Sequence, residues 1–142
     1  MTQTYPYHMN KTSVAGLQID AVSKAEILEE VQKRLSSNQK TFIATPYSEF
    51  LYHALDDKDI MDTLNKADIA IADGIGVLWA ASYLHWPLTA KGYPLKLIQG
   101  FFQGIISGLA ILVSPQSVRK IIPEKISGSE FRIFSYDLLP DS

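Results

Sequence analysis

The stretch that decides the fold is ADIAIADGIGV, residues 67–77. Its first six residues are apolar enough for a strand that is buried on both faces. The tight turn DGIG follows at residues 73–76, and residues 77–84 predict an apolar helix. A buried strand that turns directly into a helix is the repeating unit of a parallel α/β sheet.

The residues before this stretch show the same alternation. Residues 14–20 (VAGLQID) predict one short strand, and Ser23 begins a helix in which Glu26 completes a capping box. Residues 41–45 (TFIAT) predict the next strand, and two amphipathic helices follow it, the second opening at the acidic residues Asp56, Asp57 and Asp59. We therefore predict a three-layer α/β fold, with a mostly parallel sheet and flanking helices, of which this chain holds a part.

Two turns at strand ends are the candidate site. Right-handed crossovers bring the ends of parallel strands to one sheet edge, where open α/β sheets bind ligands. Thr45 and Asp73 would both lie at that edge. Asp73 can act as a general base, and Gly74 allows a close approach of ligand to backbone. The alternative for Asp73 is that it only caps the following helix, and spacing alone favours this alternative.

The turn TPYSE, residues 45–49, also has two interpretations. Thr45 can hydrogen-bond to a sugar hydroxyl, and Tyr47 can stack on a sugar ring. In the alternative, Ser48 is an ordinary N-cap and Thr45 merely ends a strand. The residues alone favour the alternative.

Composition excludes several classes of protein. The 142 residues suit one domain, and the absence of cysteine excludes disulfides, thiolate zinc sites and thiol catalysis. A net charge of -2 argues against a nucleic-acid binder. Trp79 occupies the third-glycine position of a dinucleotide-binding fingerprint, which argues against that cofactor. The three histidines lack metal-ligand spacing, so we predict neither metal nor cofactor. The first twenty residues hold no apolar run, which predicts a cytoplasmic protein.

Residues 97–113 carry no charge, and glycines recur there at positions 100, 104 and 108. Three interpretations stay open for this stretch. It can span a membrane, it can be a buried core helix, or it can lie in a membrane interface or against a partner. Arg119 and Lys120 follow it and suit anionic lipid head groups.

Taken together, these segments resemble the WecB/TagA/CpsF family of bacterial glycosyltransferases over residues 13–131. Residues 65–77 closely resemble the family's signature of a buried strand followed by Asp-Gly-Ile-Gly-Val. Residues 41–50 resemble its turn with threonine, asparagine and glutamate at alternate positions. The segment PEKISGSE, residues 123–130, is similar to a later family segment.

The resemblance implies an inverting transfer of N-acetylmannosamine or a related sugar. The donor is a UDP-sugar and the acceptor is a sugar linked to a lipid diphosphate, for teichoic acid, common antigen or capsule synthesis. The catalytic residues it implies are Asp73, as the general base, and Thr45, in the acceptor pocket. We also predict Tyr47, Glu49, Gly74 and Gly76 as substrate-binding residues. It demands no metal, and homo-oligomers stay open.

The chain departs from the family pattern in three places. Tyr47 stands where the family has asparagine. Residues 86–122 are longer and more apolar than the usual connection, which predicts an inserted helix or helical hairpin. The tail, residues 132–142, does not resemble the family's continuation, so we expect a truncated enzyme, with an extension at 1–12 and the N-terminal part of the catalytic domain at 13–142. The alternative is a non-catalytic α/β module that binds membrane or a partner subunit.

Overall fold

The computed structural model describes residues 10–114, 121–123 and 126, and the described part is a mixed α/β structure. It contains four short strands and five helices. The strands are β1 (Lys11–Val14), β2 (Leu17–Asp20), β3 (Ile43–Ala44) and β4 (Ile69–Ala70). The helices are α1 (Lys24–Ser36), α2 (Ser48–Asp56), α3 (Lys58–Asn65), α4 (Ile75–His85) and α5 (Tyr93–Val113). The alternation of strands and helices predicted from the sequence is confirmed.

The prediction of one strand over residues 14–20 is wrong, because this segment belongs to a hairpin. β1 pairs antiparallel with β2, with Lys11 opposite Asp20 and Val14 opposite Leu17. The chain reverses at Ala15 and Gly16, whose φ angles are 52° and 93°. Two successive positive φ angles are those of the tight hairpin turn whose twist matches its strands. The hairpin also begins within the predicted extension, since β1 starts at Lys11.

The parallel part of the sheet is smaller than predicted. β3 pairs parallel with β4, with Ile43 opposite Ile69 and Ala44 opposite Ala70. In the described part of the chain the two hairpin strands and these two strands form separate two-stranded sheets, so a three-layer sheet is not seen there. One reason is that the Ala70 N–H donates to the Asp20 carboxylate at 2.7 Å, so a side chain takes the place of a further backbone bond.

The core lies between the hairpin, β4 and the first turns of α4. Residues 69–72 of the predicted central strand are all buried, as expected for a strand covered on both faces. One cluster joins β1 and β2 to α2 and α4 through Val14, Leu17, Ile19, Leu51 and Val77. This packing holds the start of α4 against the sheet, and it therefore fixes the turn that precedes this helix.

Two predicted helix starts are confirmed by their caps. Ser23 is the N-cap of α1, and its side chain and that of Glu26 form the reciprocal capping box. Asp57 is the N-cap of α3 and accepts the N–H groups of Asp59 and Ile60.

Several predictions fall outside the described residues. These concern most of the predicted extension, the basic pair Arg119 and Lys120, most of the segment 123–130 and the tail 132–142.

Candidate active site

The two predicted turns meet at one edge of the β3–β4 sheet. The Ile71 N–H donates to the Ala44 carbonyl at 2.8 Å, and the Asp73 N–H donates to the Pro46 carbonyl at 3.0 Å. These two bonds carry the parallel pairing past the ends of both strands. Thr45 and Asp73 consequently leave the sheet at the same edge, and both are half-buried.

Gly74 sets the direction of the chain after Asp73. It is the N-cap of α4, with φ 90° and ψ 160°, a conformation that residues with a side chain rarely adopt. A Cβ atom built on Gly74 would meet no atom within 4 Å, so open space adjoins this glycine. Since the N-cap is Gly74, Asp73 precedes the cap and is not itself the N-cap residue.

Gly76 has a packing role at the same edge. A Cβ atom on Gly76 would lie 2.8 Å from the Cβ atom of Ser48, closer than two such carbons approach. The missing side chain lets the first turn of α4 pack on the first turn of α2. Both helix starts are thereby held beside Thr45 and Asp73.

Tyr47 and Glu49 form a polar pair on the α2 side of the edge. The Tyr47 hydroxyl donates to Glu49 Oε2 at 3.1 Å. This hydrogen bond, together with the negative charge of Glu49, raises the pKa of Tyr47, so the phenol keeps its proton. Both side chains are exposed. The alternative in which Ser48 is the N-cap is wrong, since Tyr47 occupies that position.

Sequence reasoning missed two neighbours of this pair. His53 Nε2 lies 3.9 Å from Glu49 Oε1, and the four-residue spacing on one helix would have indicated this contact. The Phe50 ring packs edge-on against Tyr47, with 5.0 Å between the ring centroids. The exposed pair therefore has an aromatic and a titratable neighbour.

Trp79 occupies the position that argued against a dinucleotide site, and its partner is α5. Its Nε1 donates to the Gly104 carbonyl at 3.1 Å, and its ring stacks on Tyr83 with 5.4 Å between centroids. Cβ atoms on Gly104 and Gly108 would lie 3.6 Å from the Trp79 ring. The glycines spaced by four residues thus leave room for Trp79 and Tyr83 of α4 to pack against α5.

Two cavities flank the contact of α4 with α5 and lie away from the sheet edge. One, of about 560 Å³, is lined by residues that include Ser82, His85, Gln103 and Ser107. The other, of about 660 Å³, lies beside Trp79 and Tyr83. None of the predicted site residues lines either of these two cavities. Within the described residues, no three His, Asp or Glu side chains converge as metal ligands.

The model of the glycosyl transferase WecG/TagA/CpsF family matches residues 12–113. The chain belongs to this family. The match includes the hairpin, both turns of the candidate site and all of α5. No curated protein is significantly similar to the chain. Membership of the WecG/TagA/CpsF family agrees with the resemblance carried by the Asp-Gly-Ile-Gly-Val motif, and it supports a general glycosyltransferase role with a sugar donor and an acceptor.

Proposed function

We propose that Asp73 is the general base of an inverting sugar transfer. The donor is a UDP-sugar, N-acetylmannosamine or a relative, and the acceptor is a sugar linked to a lipid diphosphate. The observation that carries the proposal is the hydrogen bond from the Asp73 N–H to the Pro46 carbonyl at 3.0 Å. That bond brings Asp73 and Thr45 to the same edge of the parallel strands, and this is the edge at which open α/β sheets bind ligands.

The chemistry is a single displacement at the anomeric carbon. The Asp73 carboxylate takes the proton of the attacking acceptor hydroxyl. The acceptor oxygen then bonds to the anomeric carbon on one face, while the bond to the diphosphate breaks on the other face. UDP leaves with the bonding electron pair, and the anomeric configuration inverts.

The neighbouring residues have positioning roles in this proposal. The Thr45 hydroxyl orients the acceptor sugar, since a fixed near-attack geometry lowers the barrier. Tyr47 and Glu49 contact sugar hydroxyls, and both side chains accept, because the single O–H of Tyr47 already donates to Glu49. Gly74 leaves room for the reacting groups, and Gly76 holds α2 beside them. No residue in this scheme requires a metal or cofactor.

This reaction places the enzyme in cell-envelope polysaccharide synthesis, at the cytoplasmic face of the membrane that holds the acceptor. The test is a transfer assay with a UDP-sugar and a lipid-diphosphate-linked acceptor. Asp73→Asn should lower the transfer rate by about 100-fold to 10,000-fold, the usual loss for a missing general base. The matched control is Asp56→Asn, an exposed carboxylate at the end of α2, which should leave the rate unchanged.

An Asp73→Asn variant that folds, as judged by circular dichroism, and transfers sugar at the wild-type rate would contradict the general-base role. A second candidate function is a non-catalytic module that binds membrane or a partner subunit. The observation that favours it is the apolar and largely exposed surface of α5. Wild-type protein that binds vesicles but transfers no sugar would support this second function.

A further inference from the structure

We propose that α5 lies in the plane of an anionic lipid bilayer, with its outward face buried at the boundary between head groups and acyl chains. α5 is the helix in the described part of the chain that is long and apolar enough to cross a membrane. Its 21 residues extend over about 31 Å. The inference concerns how the chain is held at a membrane and does not require Asp73 to be the base.

The outward face of α5 is apolar without interruption. Every exposed residue between positions 97 and 113 is a large aliphatic or aromatic residue: Leu97, Ile98, Phe101, Phe102, Ile105, Ile106, Leu109, Leu112 and Val113. At about 100° per residue these side chains cover roughly half of the helix circumference. Of the three interpretations that the sequence leaves open, a buried core helix does not fit the described structure.

The inward face of α5 carries all the polar side chains of this stretch. Gln103 Nε2 donates to the carbonyls of Tyr83 and Trp86 at 2.7 Å, and these carbonyls belong to the C-terminal end of α4. The side-chain oxygen Oε1 of Gln99 accepts the Ala90 N–H at 2.8 Å, and the Ser107 hydroxyl donates to the Gly104 carbonyl of its own helix. A spanning helix would immerse this bonded face, and α4 with it, in hydrocarbon. A helix that lies in the plane of the membrane interface keeps this polar face towards the protein.

The two helices run antiparallel, and the outward apolar face of α5 is the ridge that would meet the membrane. Gly108 of α5 lies beside Trp79 in the first half of α4, whereas Gln103 of α5 contacts Trp86 at the end of α4. α4 has about half the length of α5, so the first turns of α5 project beyond it. The C-terminal end of α5 consequently lies level with the start of α4, which follows Asp73.

The positive charge of residues 74–114 favours an anionic membrane surface. Residues 74–114 contain no Asp or Glu, and their charged side chains are Lys91 and Lys96. Residues 10–73 instead carry eleven acidic residues against seven Lys and Arg. Both lysines are exposed at the N-terminal end of α5. Anionic head groups attract lysines placed this close to a membrane surface.

A protein partner fits this face less well than lipid does. Protein interfaces carry about one hydrogen bond per 100–200 Å² and a polar rim. The exposed residues between positions 97 and 113 offer no hydrogen-bonding side chain. Two aromatic residues instead stand at the end of the ridge, Trp86 at 68% and Tyr93 at 76% exposure. Tryptophan and tyrosine favour the membrane–water interface because their rings are amphipathic.

The experiment is flotation of the full chain with two kinds of vesicle, phosphatidylcholine alone and phosphatidylcholine with phosphatidylglycerol. Leu109→Asp on α5 is paired with Leu55→Asp on α2, since these leucines are 55% and 60% exposed. We expect the wild-type chain to bind the anionic vesicles. L109D should weaken this binding at least tenfold, whereas L55D should leave it unchanged. Replacing Lys91 and Lys96 by glutamine should each weaken binding by about fivefold.

A second readout follows the fluorescence of Trp86, recorded in a Trp79→Phe background. Its emission should shift to the blue on addition of anionic vesicles. Equal binding by L109D and L55D, or no binding to either kind of vesicle, would overturn the inference. A dimer in the absence of lipid that L109D dissociates would assign the face to a second copy of the chain instead. Wild-type protein that binds anionic vesicles but transfers no sugar would refute the proposed catalysis and leave this inference standing.

Discussion

The α/β part, residues 10–73, uses carboxylates as well as an amide to hold polar backbone groups, whereas the helix pair α4–α5 uses neutral side chains. In the α/β part, carboxylates hold backbone N–H groups. Asp20 accepts the Ala70 N–H at 2.7 Å, and Asp68 accepts the Phe42 N–H at 2.8 Å. In the helix pair, neutral side chains hold backbone carbonyls, as Gln103 and Trp79 do. The first region uses carboxylates, and the second, which contains no Asp or Glu between residues 74 and 114, has none beside its apolar surface.

The physical reason for this difference is the cost of moving polar groups out of water. A charged group moved to an apolar environment costs far more than an amide or a hydroxyl. A helix pair that lies against lipid can therefore keep Gln99 and Gln103 but would lose stability from buried carboxylates. The sheet edge with Asp73 lies where the two regions join, since Asp73 ends the α/β part and Gly74 is the N-cap of α4.

The largest stability effect is expected at Asp20 in the α/β part. Asp20 is 2% exposed, accepts the Ala70 N–H and pairs with Lys11 at 3.2 Å. Asp20→Ala should lower the free energy of unfolding by about 2–4 kcal/mol, mostly because the Ala70 N–H loses its partner. Urea unfolding measures the change.

The control for Asp20 is Asp62→Ala on the exposed α3 helix, where Asp62 pairs with Lys58. It should cost less than about 1 kcal/mol. Equal losses at the two positions would mean that the buried carboxylate does not organise the sheet.

A smaller effect is expected where a charge is placed in the helix pair. Gln103→Glu removes the donor to the Tyr83 and Trp86 carbonyls and turns a carboxylate towards them. The free energy of unfolding should fall by about 1–3 kcal/mol at neutral pH. Gln32→Glu on the exposed side of α1 should change it by less than about 0.5 kcal/mol. If Q103E were as stable as Q32E, the helix pair would tolerate charge as the α/β part does.

The glycines of α5 should show a gain in stability. A Cβ atom on Gly104 or Gly108 lies at ordinary contact distance, 3.6 Å from Trp79. Gly104→Ala and Gly108→Ala should each raise the free energy of unfolding by up to about 1 kcal/mol, because alanine favours the helix. Gly100→Ala is the contrasting variant, since its Cβ atom would lie 2.9 Å from the Tyr83 hydroxyl. A loss at Gly104 would show that the helices need a closer approach than these distances indicate.

The smallest effect concerns pH and the capping box of α1. The Ser23 N–H donates to the Glu26 carboxylate at 2.7 Å, and this bond lowers the pKa of Glu26. A carboxyl group whose pKa is lower in the folded state stabilises the fold above its unfolded pKa of about 4.3. That stabilisation is lost as the pH falls through the folded pKa. Glu26→Gln should therefore reduce the fall in melting temperature below about pH 4.3, whereas Glu29→Gln, on the exposed side of the helix, should not.

The sequence predicted those parts of the candidate site that depend on residues adjacent in the chain. The buried strand and the turn at residues 73–76 follow from composition and glycine, and the structure places Thr45 and Asp73 at one edge because parallel strands end together. The contact of Gly76 with Ser48 was not predictable, since it joins residues that only the packing of α2 on α4 brings together. The same holds for Trp79 and the glycines of α5.

The sequence by itself determined most of the strands and helices, the caps of α1 and α3 and the charge contrast between the two regions, because these depend on residues that are near in the chain. Its error over residues 14–20 arose because a two-residue turn leaves only a weak local signal at Ala15 and Gly16. Only the tertiary structure decided that the Asp20 carboxylate would reach Ala70, and that one face of α5 would be left exposed. Both outcomes depend on contacts between distant segments, which the local pattern of residues does not specify.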